Sequence, residues 1–243
     1  MNRPLCMSTL SLMHKEDSAV LIVGASGGIG GALYRLFSPT RRVFGISSQV
    51  KNLPDWFATD YSSSSMAEIA DKIHCRFSKI FICNGFLHGD GYFPEKRLID
   101  VESTSMHAAY ERNVVIPAMA LRLFRSHIEQ IRPAHCAVLS ARVGSIGDNR
   151  AGGWYSYRCA KAALNMFVKT TAIELKRTNK KLVLVAVHPG TTQTGLSEPF
   201  LKRSARQRVS ADQTALRIEH VVSHLDVSST GGFYDWQGDI VEW

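Results

Sequence analysis

The chain has 243 residues, 45% of them apolar, enough for one large domain with a sizeable core. No apolar run approaches the ~18 residues of a membrane span, and the five scattered cysteines form no CxxC pair, which argues against a zinc site or a disulfide framework. The formal charge of +8 permits anionic partners, but the basic residues are spread out and no nucleic-acid recognition motif accompanies them.

The first residues, MNRPLCMSTLSLMHKEDSA, lack a long apolar segment and a small-residue cleavage site, so no signal peptide is expected. Residues 1–18 read as a disordered tail, with Met7 or Met13 as alternative starts, and the reduced thiols fit a cytoplasmic protein. AVLIVG (19–24) is the first strand. RVFGIS (42–47), KIFICN (79–84), HCAVLS (135–140) and KLVLVAV (181–187) follow, each apolar almost throughout, as strands covered on both faces are. Helices are expected at 28–38, 64–74, 103–127 and 154–177, with the serines at 62–65 supplying a loop and helix cap. This alternation predicts a doubly wound parallel sheet with helices on both faces, in one domain over 19–243.

Three stretches carry chemistry. Between the first strand and its helix stand Gly24, Gly27, Gly28, Gly30 and Gly31. Such a turn lets backbone N–H groups and a helix N-terminus approach a pyrophosphate. In the third helix, Pro117 follows Asn113 by four residues, so the Asn113 carbonyl loses its helical N–H partner. In the fourth, Tyr157 and Lys161 share a face. A neighbouring ammonium favours the phenolate, which would make Tyr157 a proton donor or acceptor near neutrality.

Gly24, Gly28 and Gly30, the Tyr157–Lys161 pair and the Asn113 segment together resemble the short-chain dehydrogenase/reductase family, from about residue 19 to the C-terminus. Val23 stands where that family usually has Thr. The resemblance implies a Rossmann-type fold, a nicotinamide cofactor and hydride transfer between it and a carbonyl or alcohol substrate. It places the cofactor on the glycine turn (Gly24, Ser26, Gly27, Gly28, Ile29, Gly30), on Asp60 at the adenine, on Asn84 and Gly85, and on Pro189, Gly190 and Thr194 of HPGTTQT. Tyr157 and Lys161 would touch it as well, Lys161 lowering the Tyr157 pKa and holding the ribose, and Asn113 would support a proton relay through water. Cys83 and Phe86 depart from the family's Asn-Asn-Ala-Gly segment. After the second strand no carboxylate is present to select NAD. Ser47, Ser48 and Lys51, with Arg41 and Arg42 before the strand, point to NADP(H), with NAD the alternative.

The match breaks at the oxyanion donor. The family's Ser-Ser-x-x-Gly reads Ser140-Ala141-Arg142-Val143-Gly144, which puts alanine in the catalytic slot. Ser140 by a one-residue shift, or Ser145 from the loop, are the two replacements to consider. The segment through Tyr157 and the ending GGFYDWQGDIVEW resemble the C-factor-like branch, named for a bacterial cell–cell signal. That leaves a catalytically weak NAD(P)-binding signalling or sensor protein as the alternative to an oxidoreductase. Residues 195–210 read as a substrate lid, and the resemblance implies a homodimer or homotetramer formed through the two long helices. No metal, nucleic acid or membrane partner is expected.

Overall fold

A computed structural model describes residues 19–89, 91–201 and 209–243. The expected tail at 1–18 and the basic centre of the expected lid, 202–208, lie outside the described residues. Seven parallel strands form one sheet in the order β3-β2-β1-β4-β5-β6-β7. They are β1 (Ala19–Val23), β2 (Val43–Ser47), β3 (Trp56–Ala58), β4 (Phe77–Ile82), β5 (Ala134–Leu139), β6 (Leu182–His188) and β7 (Phe233–Asp235). Five match the apolar runs read from sequence within two residues. The short edge strands β3 and β7 are not among those runs.

The helices are α1 (Gly28–Phe37), α2 (Ser63–Lys72), α3 (Ser103–Tyr110), α4 (Ile116–Phe124), α5 (Tyr155–Thr178), the single turn α6 (Glu198–Leu201) and α7 (Ala211–His224). Ser62 caps α2, its hydroxyl accepting from Ser65 N. The helix expected over 103–127 is two helices joined by a π turn at Glu111–Val115, with Asn113 inside it. Pro117, two residues beyond that turn, cannot donate to the Asn113 carbonyl, and the chain takes up the extra residue as a wider turn.

Alternation along β1 shows the layering. Leu21 and Val23 face a core shared with Met66 and Ile69 of α2, Leu121 of α4 and Leu164 and Val168 of α5. Val20 and Ile22 face the other core, with Leu33 and Phe37 of α1 and Ile218 and Val222 of α7. Both faces are covered, as a parallel sheet requires. The order reverses between β1 and β4, so a crevice opens at the carboxyl ends of the central strands, where ligands of such sheets bind. Among the described residues no helix is long and apolar enough to cross a membrane, and no cluster of His, Cys, Asp or Glu could hold a metal ion.

Candidate active site

The glycine turn leaves β1 at Gly24, whose φ of +83° is in the left-handed region. Gly24 N and Ala25 N both donate to Ile46 O of β2, at 2.8 and 3.0 Å. A side chain at Gly24 would lie 3.0 Å from Asn84 N, and one at Gly30 would run into the Gly24 carbonyl. The loop is therefore folded against β4 so closely that only glycine fits. Gly27, at the cap of α1, contributes no side-chain cap, which leaves the first N–H groups of α1 without a side-chain acceptor, as an anion-binding terminus requires.

At the end of β4, Asn84 Oδ1 is buried without a hydrogen-bond partner. A buried amide oxygen without a partner is costly, and a ligand hydroxyl or N–H in the crevice would satisfy it. Cys83 beside it is half-buried at the edge of the crevice, and desolvation pushes its thiol up to about 12. Behind Asn84, the fully buried Asn113 side chain braces the strand end. Its Oδ1 accepts from Phe86 N at 3.0 Å, and its Nδ2 donates to Phe86 O at 2.8 Å and to Ala109 O at 2.9 Å.

Tyr157, Lys161 and Asn165 follow one another up a single face of α5, and all three are buried. Lys161 Nζ donates to Leu139 O at 3.0 Å and stands 5.8 Å from the centre of the Tyr157 ring. Burial acts on both groups. It lowers Lys161 to about 7 and raises Tyr157 above the ordinary phenol value. This corrects the expectation that the lysine lowers the tyrosine in this arrangement. Desolvation outweighs the ammonium, which lies by the ring and spends a hydrogen on a carbonyl.

Ser140 Oγ donates to Asn165 Oδ1 at 2.5 Å, and Asn165 Nδ2 reaches Gly144 O at 3.4 Å. Ser140 thus lies at the Tyr157–Lys161 pair with its proton held by Asn165. Ala141 lines the crevice directly. Ser145 turns away, its hydroxyl accepting from Asp148 N at 3.1 Å. Asn165 was missed in the sequence, although its place one turn beyond Lys161 was a readable signal.

The entry to α5 is unusual. Gly152, Gly153 and Trp154 all have positive φ, +62°, +64° and +53°. Trp154 provides no side-chain cap. Glu95, far away in sequence and 4% exposed, does so instead. Its carbonyl accepts from Trp154 N at 2.5 Å, while its carboxylate accepts from Ser156 N at 3.2 Å and from the Ser156 hydroxyl. A carboxylate at a helix N-terminus satisfies free N–H groups and complements the dipole. Nothing local in the sequence marked Glu95.

One cavity of about 330 Å³ gathers Ile29, Asn84, Gly85, Ser140, Tyr157, Lys161, Pro189, Gly190 and Thr194. Gly28 meets it through Thr194, whose side chain occupies the space above the glycine. Ser47, Ser48 and Asp60 stand apart, at the carboxyl ends of β2 and β3. The Ser47 hydroxyl accepts from Gln49 N at 2.8 Å, and Asp60 Oδ1 from Ser62 N at 2.8 Å; the Ser62 hydroxyl, and then Ser62 N, hold the Asp60 carboxyl below the usual range. Arg41 and Arg42 are at the other end of the sheet, where they begin β2. Arg42 makes a two-point ion pair with Asp55 at 2.8 and 2.9 Å, and Arg41 packs on Phe37 and Ser78. They cannot serve a cofactor phosphate, because β2 itself separates them from the crevice by about 17 Å.

A doubly wound sheet with a glycine turn and a buried Tyr–Lys pair facing one crevice defines a nucleotide-dependent oxidoreductase class. Residues 95–205 match the family model described as short chain dehydrogenase. The C-signal protein of Myxococcus xanthus is 30% identical over 144 residues, 59% of this chain and 82% of that one. Among solved structures, the carbonyl reductase Sniffer of D. melanogaster superposes with a TM-score of 0.80 at 20% identity, over 93% of this chain and 99% of that one. An NADPH-bound carbonyl reductase from chicken fatty liver gives 0.76 at 19% identity, over 96% and 98%. The chain belongs to the short-chain dehydrogenase/reductase family and is an oxidoreductase of that type.

Proposed function

We propose that this protein reduces a carbonyl compound, or oxidises the corresponding alcohol, with NADP(H). The observation that carries the proposal is the placement of Tyr157 and Lys161, buried one turn apart on α5 and opening on the crevice that Ile29, within the glycine-turn segment, also borders. The unpartnered Asn84 Oδ1 and the side-chain-free surface at Gly24 and Gly30 fit a dinucleotide. Gly24, Ser26, Gly27, Gly28, Ile29 and Gly30 would hold its pyrophosphate, Asp60 its adenine, and Asn84, Gly85, Pro189, Gly190 and Thr194 its nicotinamide half. The choice of NADP over NAD rests on the end of β2, where no carboxylate stands between residues 47 and 51, Ser48 is exposed and Lys51 lies over the Trp56 ring. The Ser47 hydroxyl is occupied by Gln49 N, so Ser48 and Lys51 carry that preference. The chicken enzyme's bound NADPH agrees with it.

When bound, the nicotinamide supplies or accepts the hydride. Tyr157 does the proton work. Its raised pKa keeps it a phenol at neutral pH, so in the reducing direction it donates its proton to the carbonyl oxygen as negative charge develops there. Lys161, poised at about 7, takes up a proton when the phenolate forms and stabilises it. Asn113, in the π turn, would support the water relay that resupplies that proton. Ser140 is the candidate second donor to the substrate oxygen, and must release Asn165 to act.

A second reading follows from Ala141 and from the C-signal relative. The chain would then bind cofactor, turn over slowly, and act as a signal or sensor of the C-factor type. A cofactor titration by calorimetry, NADPH against NADH, tests the primary reading. NADPH at least tenfold tighter is the expected result, equal affinities would refute the NADP preference, and no binding of either would refute the cofactor reading. A homo-oligomer formed through α3–α4 and α5 belongs to the same proposal and is tested by sedimentation.

A further inference from the structure

The reading above leaves the substrate open, and the mouth of the crevice constrains it. From Tyr157 outward the rings form a continuous series. Trp154 meets Tyr157 edge-on with centroids 6.2 Å apart, and Phe200 of α6 meets Trp154 at 5.2 Å. His88 meets Phe200 at 5.6 Å, and Phe93 stacks on His88 at 6.1 Å. Aromatic pairs at such separations present faces and edges that favour a further ring over an aliphatic group of equal area. Leu87, Val143 and Leu196 add apolar surface to the wall.

Two further observations sharpen this. Trp154 sits in the left-handed region, which a bulky side chain rarely takes. Glu95 holds it there through its carbonyl, at 2.5 Å from Trp154 N. A strained residue kept in place beside an active centre points to a function for its side chain. Among the described residues the arginine of the wall is also neutralised. Arg142 is paired with Asp235 at 2.8 Å and with Asp148 at 3.7 Å, and Lys161 is engaged with Leu139 O.

We propose that Trp154 and Phe200, in edge-to-face contact with each other, together form one wall of a slot for the ring of an aryl ketone or aldehyde, whose carbonyl points down to Tyr157. Trp154 and Phe200 are then specificity-determining residues. The inference rests on the reductase reading but is tested by binding, independently of turnover. Protein saturated with NADP⁺, which cannot reduce a ketone, is titrated by calorimetry with 2-acetylnaphthalene and with its saturated counterpart 2-acetyldecalin. The naphthyl ketone is expected to bind at least tenfold tighter. Phe200→Ala and Trp154→Ala should each bring the two affinities to within threefold of one another. Phe200 lies on a separate surface turn, so that variant reads the slot even where Trp154→Ala disturbs the entry to α5. Equal affinities in the wild type, or an unchanged preference in Phe200→Ala, would overturn the proposal. Failure of NADP⁺ to bind would sink the reductase reading instead, and the same two ketones titrated without cofactor would still report on the slot.

Discussion

Lys161 makes the most quantitative test of how the site is built. It is 2% exposed, and its folded pKa of about 7 lies well below the 10.5 of an exposed lysine. Below pH 7 the ammonium is buried at full cost. Between about 7 and 10.5 the unfolded chain holds a proton that the folded chain has released, so stability rises with pH across that window. From pH 7 to pH 9 the gain from this one group is about 2 kcal/mol. Tyr157, raised rather than lowered, adds nothing over this range, because both its states remain protonated. Lys161→Met removes the group and keeps the volume. Urea unfolding at pH 7 and pH 9 should therefore show the wild type gaining about 2 kcal/mol more than the variant. Parallel changes in the two proteins would mean that Lys161 keeps its proton in the folded state, and the site would then be a permanent cation instead of a proton store.

Three other outcomes are expected. Ala141→Ser installs a hydroxyl in the wall of the crevice and should raise kcat by about tenfold or more, since one oxyanion donor is worth ~10²–10³ in rate; no change would mean that Ser140 already fills the role. Glu95→Ala should cost about 1 kcal/mol of thermal stability through the lost cap and lower kcat with KM nearly unchanged, while Glu95→Gln, which can still accept from Ser156 N, restores the rate; equal damage in both would show that the charge and not the cap matters. At the far end of the sheet, Lys79 of β4 is buried against Glu219 and Ser223 of α7. Glu219→Leu should destabilise by about 2–4 kcal/mol because it strands the ammonium, and adding Lys79→Met should recover most of that loss in denaturant titrations.

The parts of this structure legible in the sequence are those set by local pattern. Strands such as AVLIV announce burial on both faces, and the glycine turn and Tyr157–Lys161 are separated by fixed short spacings. What stayed hidden depends on tertiary contact. Trp56–Ala58 and Phe233–Asp235 are too short to show periodicity and are strands only because β2 and β6 template them. Helix α7 carries a readable cap, Ser210 with Gln213, yet it was passed over behind the basic segment preceding it. Pro117 signalled a broken helix but not that the break would be a π turn. Glu95 reaches Ser156 across 61 positions, and Ser140 reaches Asn165 across 25, so neither link leaves a local trace. The tyrosine's pKa was judged from its neighbour alone, whereas burial proved the larger influence. Arg41 and Arg42 were weighed by their charge, although their position ahead of β2 already set them at the wrong end of a parallel strand.

The proposed role of Tyr157 is that of proton donor in an NADPH-dependent carbonyl reductase. Its most direct test follows NADPH oxidation by absorbance with 2-acetylnaphthalene and a panel of aldehydes and diketones, in the wild type and in Tyr157→Phe. Turnover in the wild type that falls at least a hundredfold in the variant, with NADPH affinity retained, is the predicted result. Full activity in Tyr157→Phe, or tight NADPH binding with no turnover of any carbonyl compound in the wild type, would contradict it.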